Sequence, residues 1–398
     1  LAAAAGTQLE LHRNAAAAAQ RQEGTPLSDA PAQTTDKNSR YASLVLGMSL
    51  PADTVLYLVL PLYAAQFGLT LAEAGILLAA NRLVRIAGYS TVARLYAKHG
   101  DRAACMLAAA VASVCALGYA TCSGFWALLV FRLLWGLSYA ALNLSTQSLA
   151  TAELAGAARR TGQSRALIAL GPMLALPLSA ISAEHYNPHI FFLLLAAVAL
   201  CAVPIARRLP SGQGHIKPRE QRFRLPGALD IWSFVEGLVL DGLFIVGLSF
   251  LGHSIAPTGA VVIAGLLLAL RYLAEILLSP VGGQVAEKYG AERMLVTLSV
   301  TTSVALVGFG AGWLWACAAA VVVLRALQLP LIAPIVAQRY PGPQRVHALA
   351  TRAIWRDIGA GVGPMMAGVL LPVTSSLLLY SVAAACLATS ALACRSRQ

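Results

Sequence analysis

Tyr41–Gln66 reads YASLVLGMSLPADTVLYLVLPLYAAQ. The run is long enough to cross a bilayer, which takes roughly 20 apolar residues. It carries one acid, Asp53, near its midpoint. A carboxylate at that depth costs about 2.5–3.5 kcal/mol on insertion scales, so it is retained for a purpose. The design returns in Leu229–Gly252, where Asp241 sits at the midpoint, 188 residues after Asp53 and close to half the chain length.

Composition agrees with a chain built of such runs. Of 398 residues, 58% are hydrophobic and 12% charged, against about 25% charged in soluble domains. Mean hydropathy is +0.69. The net charge of +12 does not mark a nucleic-acid partner, because the basic residues sit in short loops between apolar runs. The seven cysteines form no CxxC pair and mostly fall inside spans, where they read as small apolar fillers. No His/Cys cluster has metal-ligand spacing and no Walker A sequence is present, so neither metal, cofactor nor ATP is expected.

Spans are expected near 41–66, 74–97, 102–122, 125–150, 163–183, 189–207, 229–252, 259–283, 292–311, 313–337, 350–371 and 374–394. The fold expected is an all-α membrane protein of about twelve transmembrane helices in two pseudo-symmetric six-helix bundles, with no backbone group left unpaired in lipid. Residues 1–40 read as a disordered tail, 41–207 as the first bundle, 208–228 as a linker, 229–394 as the second bundle and 395–398 as a short tail. One set of loops holds Arg94, Lys98, Arg102, Arg159, Arg160, the cluster Arg207–Arg224, Lys288, Arg293, Arg339 and Arg345; both tails join it. The opposite loops, such as FGLTLAE, CSG and AEHYNPH, hold no Lys or Arg. Both termini are therefore expected in the cytoplasm, with the protein in an inner or plasma membrane. A monomer is expected.

An internal repeat links the halves. Asp53 maps to Asp241, Arg82 to Arg271, Gly100 to Gly290, Gly171-Pro172 to Gly363-Pro364, Arg132 to Arg325 and Arg165 to Asp357, at separations of 188 to 193 residues. Two parallel six-span halves are a transporter architecture with its site between them near the midplane.

At this point the chain resembles the major facilitator superfamily over nearly all of residues 41–394. That family's loop motif after spans two and eight reads G-x-L-A-D-R-x-G-R-R/K. The second-half copy is Gly283-Gln284-Val285-Ala286-Glu287-Lys288-Tyr289-Gly290. The first-half copy, Ala93 to Arg102, has Ala97 where the acid belongs, and Asp101 is the candidate substitute. Arg132-Leu133-Leu134-Trp135-Gly136 is similar to the R-x-x-x-G motif of proton-coupled members. Gly171-Pro172-Met173-Leu174-Ala175 and the fuller Gly359–Gly368 are similar to the G-P-x-x-G-G motif of antiporters. The resemblance implies a gating role for Gly100, Asp101, Arg102, Gly171, Pro172, Gly283, Glu287, Gly290, Gly363 and Pro364; Arg165 and Asp357, matched by the repeat near the basic ends of spans five and eleven, and Glu275 are expected to act in gating as well. For the Gly-Pro segments a plain packing seam is the other reading.

Charges at membrane depth must face the bundle interior or a wet cavity. Asp53, Asp241 and Glu236, with Arg132, are the proton-coupling candidates; a fixed salt bridge is the alternative for Asp53 with Arg132. Arg271 and Glu275 are four apart and can pair along one helix face. Arg82 and Arg85 share a face and repel, so a partner is expected: an acid of the other half, chloride or water, or the substrate. Arg352 and Arg356 crowd Asp357. Arg82, Arg85, Arg271, Arg325, Tyr57, Tyr139, Asn143, Gln147 and Gln328 are the substrate-cavity candidates; helix packing is the alternative for the uncharged ones.

The expected function is secondary active transport of a small organic molecule by alternating access, coupled to protons and directed outward by antiport. The alternative is a proton-coupled importer of a carboxylate-bearing metabolite, which the arginine excess favours. A membrane sensor or assembly factor is a third class. An enzyme is not expected, because no nucleophile–base set or metal cluster lies at membrane depth.

Overall fold

The computed structural model describes residues 30–185, 188–211, 226–255, 260–342 and 344–395. Most of the expected linker and of the two tails lies outside these residues. Among the described residues the regular structure is helical throughout. The chain runs through Ala30–Ser49 and Pro51–Leu62 (span 1), Leu71–Thr121 (spans 2 and 3), Phe125–Ala150 (span 4), Ala157–His185 (span 5) and Pro188–Ala206 (span 6). The second half follows with Ala228–Glu236, Gly237–Leu243 and Phe244–Ile255 (span 7), Ala260–Tyr289 (span 8), Ala291–Gly310 (span 9), Leu314–Gln328 and Ile332–Arg339 (span 10), Gln344–Leu370 (span 11) and Ser376–Ala393 (span 12).

Spans 2 and 3 form one helical run interrupted at Gly100, whose φ of 75° turns the chain. Gly290, its partner in the repeat, has a φ of 90° at the same place between spans 8 and 9. Only glycine takes such angles without steric cost, which explains why both halves spend one there. Span 1 begins at Ala30, earlier than its apolar run suggests. The added turns are polar and are held from outside: Asp36 accepts from Arg159 at 2.8 Å and Thr35 donates to Glu153 at 2.9 Å.

Eight of these stretches are long and apolar enough to span a bilayer. The other four expected spans are 2, 5, 8 and 11. They carry the charges: Arg82 and Arg85, Arg165, Arg271 and Glu275, and Arg352, Arg356 and Asp357. The same four make most of the contacts between the halves, span 5 against span 8 and span 2 against span 11. Apolar side chains instead cover the outside, among them Leu107, Val114, Leu174, Val304 and Met365. Trp126 and Trp313 stand exposed at equivalent ends of spans 4 and 10, the place where tryptophan anchors a helix at the lipid–water boundary.

The core is organised in three parts. One cluster belongs to the first half alone, around Val55, Leu77, Tyr119 and Phe192. A second belongs to the second half alone, around Leu240, Phe309, Val321 and Tyr380. The third joins both halves through residues such as Val45, Tyr89, Leu144, Trp232, Leu295 and Leu349. It lies toward the end that bears the basic loops, called the basic face below. The halves are thus fused at the basic face and have separate cores toward the opposite one. Cys105 and Cys115 sit buried within these clusters, as fillers would.

Candidate functional site

Both spans that carry a midpoint acid are irregular beside it. In span 1 the helix breaks at Leu50 and restarts with Pro51, which leaves Asp53 in the first turn of the new segment. Pro51 supplies no N–H, so the ladder is interrupted there while Leu50 keeps helical dihedrals. In span 7 a single π-helical stretch, Gly237–Leu243, contains Asp241. Such bulges recur at functional sites.

The two acids, equivalent in the repeat, are gripped by two arginines that are also equivalent. Arg132, fully buried, donates through Nη1 to Asp53 Oδ1. Asn81 Nδ2 donates to the same oxygen at 3.1 Å. Arg132 Nε donates to the Leu77 carbonyl at 3.1 Å. Its guanidinium lies over the Tyr57 ring at 5.2 Å, and the Tyr57 hydroxyl donates to the Leu78 carbonyl at 3.0 Å. In the second half Arg325 Nη2 donates to Asp241 Oδ1. Here a second arginine joins: Arg356 Nη2 reaches Asp241 Oδ2 at 2.7 Å, and its Nε reaches Glu236 at 3.0 Å. Glu236 also lies 3.6 Å from Arg325.

The seam between the halves has its own pairs. Arg85 Nη2 donates to Asp357 Oδ1 at 3.0 Å, and its guanidinium lies 4.7 Å from the centre of the Tyr139 ring. Arg82 Nη1 donates to the Ala360 carbonyl at 2.6 Å. The counter-charge required by the Arg82/Arg85 pair is therefore an acid of the other half. Asp357 was expected among Arg352 and Arg356. It instead pairs with Arg85, while Arg356 turns inward to Glu236 and Asp241. Arg271 and Glu275 pair at 3.2 Å along their own helix. Arg165 and Arg352 make no ion pair among the described residues. Arg352 is buried, and its Nε makes no hydrogen bond.

The uncharged candidates divide. Tyr57 and Tyr139 frame the arginines. Gln147 donates to Asn143 at 3.0 Å, both buried on span 4. Gln328 is buried inside the second half and donates to Thr302 at 3.3 Å. Gln328 packs span 10 against span 9 and does not line the seam.

Backbone contact closes the basic face. A Cβ on Gly162 of span 5 would meet the Ser279 carbonyl and lie 3.0 Å from the Pro280 Cα of span 8. Gly283 faces the Ala158 carbonyl of span 5 in the same way. Glu287 accepts the Arg159 N–H at 3.0 Å, at the first turn of span 5, where an anion offsets the helix dipole. The other side of the seam lacks that arrangement. Asp101 accepts from Tyr96 at 2.6 Å and from Ser145 at 2.5 Å, inside its own half. The tie across is Arg345, which donates to the Thr151 carbonyl at 2.5 Å. Thr151 caps the end of span 4, so there a cation meets a helix C-terminus. Arg102 stays within the first half and donates to the Leu209 carbonyl at 2.8 Å. The Gly-Pro segments lie at seams within each half: Gly171 against the Gly47 carbonyl, and Gly363 against Leu238 and Gly242.

Two participants escape sequence reading. Asn81 is a lone amide in span 2, a signal that is visible yet unspecific. The reach of Arg356 to Asp241 follows from the way span 11 lies against span 7, which spacing does not encode.

Among solved structures, the chain is similar to the proton:xylose symporter XylE bound to 6-bromo-6-deoxy-D-glucose. Identity is 13% and the TM-score 0.72, over 90% of this chain and 94% of that one. It is similar also to the human organic anion transporter MFSD10, with 16% identity and a TM-score of 0.70 over 91% of this chain and 99% of that one. No curated protein matches it. The family model described as Major Facilitator Superfamily matches residues 42–261 and again 234–396, once for each bundle. With one family model fitting each half, and with two six-helix bundles meeting along a charged seam, this chain belongs to the major facilitator superfamily.

Proposed function

We propose that the chain is a proton-coupled secondary transporter that moves a small organic molecule between the two halves by alternating access. The observation that carries this is the pair of buried acids, each held by an arginine at equivalent depth in a molecule closed at one face only. The basic face is the cytoplasmic one, since short loops rich in Lys and Arg stay there. The geometry described above is then the outward-facing member of the cycle.

Asp53 is the proton site favoured by the contacts. Protonating it breaks one ion pair, with Arg132. Protonating Asp241 breaks two, with Arg325 and Arg356. A proton taken up from outside neutralises Asp53, releases Arg132 and lets the halves rock. Release to the cytoplasm restores the pair and readies the site for outgoing cargo. The cycle requires that proton and cargo bind the two states unequally. Export is the direction supported by the antiporter-like Gly-Pro segments. Uptake of a carboxylate-bearing metabolite is the second reading. It is favoured by the arginines left without an acid, and it accords with the organic-anion description of MFSD10. XylE, a proton:xylose symporter, accords with proton coupling.

The test uses the full chain in proteoliposomes with a pH-sensitive dye inside and an imposed pH gradient. Compounds are added one at a time. In the wild type at least one compound is expected to release a proton flux and to be accumulated against its own gradient. In Asp53→Asn/Arg132→Gln, where the pair is neutral at every pH, gradient-driven accumulation is expected to disappear while exchange of the compound persists. Accumulation retained by the double variant contradicts the assignment.

A further inference from the structure

Asn81 of span 2 is 1% exposed. Its Nδ2 donates to Asp53 Oδ1 at 3.1 Å, the same oxygen that Arg132 holds. Its Oδ1 is buried and accepts from nothing. That oxygen abuts Gly136 of span 4, where an added Cβ would come within 3.0 Å of it. One half of the amide is thus engaged by the acid. The other half faces a residue that has no side chain.

A carboxylate only accepts hydrogen bonds, whereas a carboxylic acid must also donate one. The surroundings of Asp53 are rich in donors and short of free acceptors. Arg132 offers no acceptor. The Leu77 carbonyl already accepts from Arg132 Nε, and the Leu78 carbonyl accepts from the Tyr57 hydroxyl. Asn81 Oδ1 is an acceptor without a donor, and it belongs to the amide that already touches the acid. A half-turn about the Asn81 Cβ–Cγ bond exchanges Oδ1 for Nδ2. On the Gly136 side one half of the amide is unpaired in either orientation, so the charge of Asp53 decides between them.

The second half lacks this device. At the separations of the repeat, Leu270 stands where Asn81 does and Leu329 where Gly136 does. Asp241 takes Arg356 as its second partner instead. The other charged and titratable groups near Asp53 hold their protonation. Arg132 of span 4 and Tyr57 of span 1 adjoin it, Cys115 and Tyr119 of span 3 share its core cluster, and Tyr272 of span 8 faces it across the seam. Arg82 and Arg85 of span 2 turn to Ala360 and Asp357 of the other half. Residues 166–183 of span 5 and 190–206 of span 6 hold no charged residue and no histidine. Thiols and phenols keep their protons at neutral pH and below, and a guanidinium keeps its charge.

We propose that Asn81 is the positioning residue of the proton site and that its amide inverts with the charge of Asp53. With Asp53 ionised, Nδ2 donates to the carboxylate, the arrangement seen here. When a proton from the outer face binds a carboxyl oxygen of Asp53, the new O–H donates to Asn81 Oδ1 and Nδ2 turns toward Gly136. Loss of the proton reverses both movements. The inversion keeps the bound proton hydrogen-bonded inside the bundle and aims it away from Arg132, which retains the Leu77 carbonyl. Gly136 leaves the room in which the amide turns. This inference deepens the transport reading given above and rests on it for Asp53 as the proton site.

The test is solid-state NMR of the full chain in lipid vesicles, with 13C at the aspartate carboxyls and 15N at the asparagine side-chain amides. The Asp53 Cγ shift reports protonation. Its dipolar coupling to Asn81 Nδ2 reports which half of the amide faces the acid. The coupled signal is assigned by its loss in Asp53→Asn/Arg132→Gln and in Asn81→Ser. As pH falls, the Cγ shift is expected to pass from carboxylate to acid, and the coupling to weaken with the same midpoint. A Cγ shift that titrates while the coupling stays constant overturns the inversion and leaves the proton site standing. A Cγ shift that remains that of a carboxylate at every pH removes the proton site and the inversion with it.

Thermal melts give an independent reading. An amide that serves both forms of Asp53 is missed in both, so Asn81→Leu is expected to melt below the wild type at either end of the titration. Asn81→Ser, whose hydroxyl donates or accepts as it turns, is expected to lose less at each end. A loss confined to the pH where Asp53 is charged marks a fixed donor and contradicts the proposal.

Discussion

Asp53→Asn is expected to lower the stability of the folded chain by about 3–5 kcal/mol, the usual cost of removing one partner of a buried ion pair. Arg132 is fully buried and holds its charge at any accessible pH. Its remaining neighbours are the Leu77 and Leu78 carbonyls and the Tyr57 ring, none of them an acid. Arg132→Gln alone is expected to cost less, since the stranded carboxyl can take up a proton where the guanidinium cannot lose one. The double substitution Asp53→Asn/Arg132→Gln is expected to recover most of the loss, because it leaves no charge to solvate. Thermal melts of the four proteins in one detergent give the coupling energy directly. Equal losses from both single variants, with no recovery in the double, contradict this account of the pair.

The second large effect is conformational. Gly162 lies where spans 5 and 8 meet across the halves, and the atoms it faces are backbone, which cannot rotate away. Gly162→Val therefore forces the halves apart at the basic face. Overpacking of this kind costs about 1–3 kcal/mol, and the cost falls only on the closed state. The closed population is expected to drop about tenfold or more, at 1.4 kcal/mol per decade, with little change in Tm. Gly359 is the control. It packs against Phe234 and Leu238 of its own half, so Gly359→Val burdens every state and is expected to lower Tm instead. Accessibility of a cysteine placed at Ser279 to a water-soluble maleimide reads the difference. Unchanged labelling in Gly162→Val contradicts closure at this seam.

Much of the site was readable from residue spacing. Asp53 with Arg132 was read as a pair from the sequence; Asp241 with Arg325 was not, and Arg325, expected in the substrate cavity, is held by Asp241 in the same contact that Arg132 makes with Asp53. The pair Arg271–Glu275 follows from helical periodicity alone. The cross-half contacts were less accessible. Arg85 with Asp357, and Arg356 with Asp241, depend on how two helices of different halves are rotated and offset, and no sequence period records that. The start of span 1 was set too late, because APAQTTDKNSR has no apolar run and its helix is held by Glu153 and by Arg159 at the start of span 5. Gln328 was placed in the cavity because an amide inside a span looks available; its partner Thr302 lies one helix away in the same half. The π stretch around Asp241 left no mark in residue type. The missing acid at Ala97 was visible, yet its replacement by Arg345 at the end of span 4 reverses the polarity of the tie, and substitution by like residues would not find it.

The central claim is that the two halves move as units and that the state closed at the basic face is one of two. Spin labels at Leu154 and Tyr289, both exposed and on opposite walls of the cleft at that face, report the separation by pulsed dipolar spectroscopy. The full chain in nanodiscs is expected to give a short and a long distance, with the ratio shifting between pH 5 and pH 8 and the shift absent in Asp53→Asn/Arg132→Gln. One short distance at every pH, or a shift that survives in the double variant, contradicts the account.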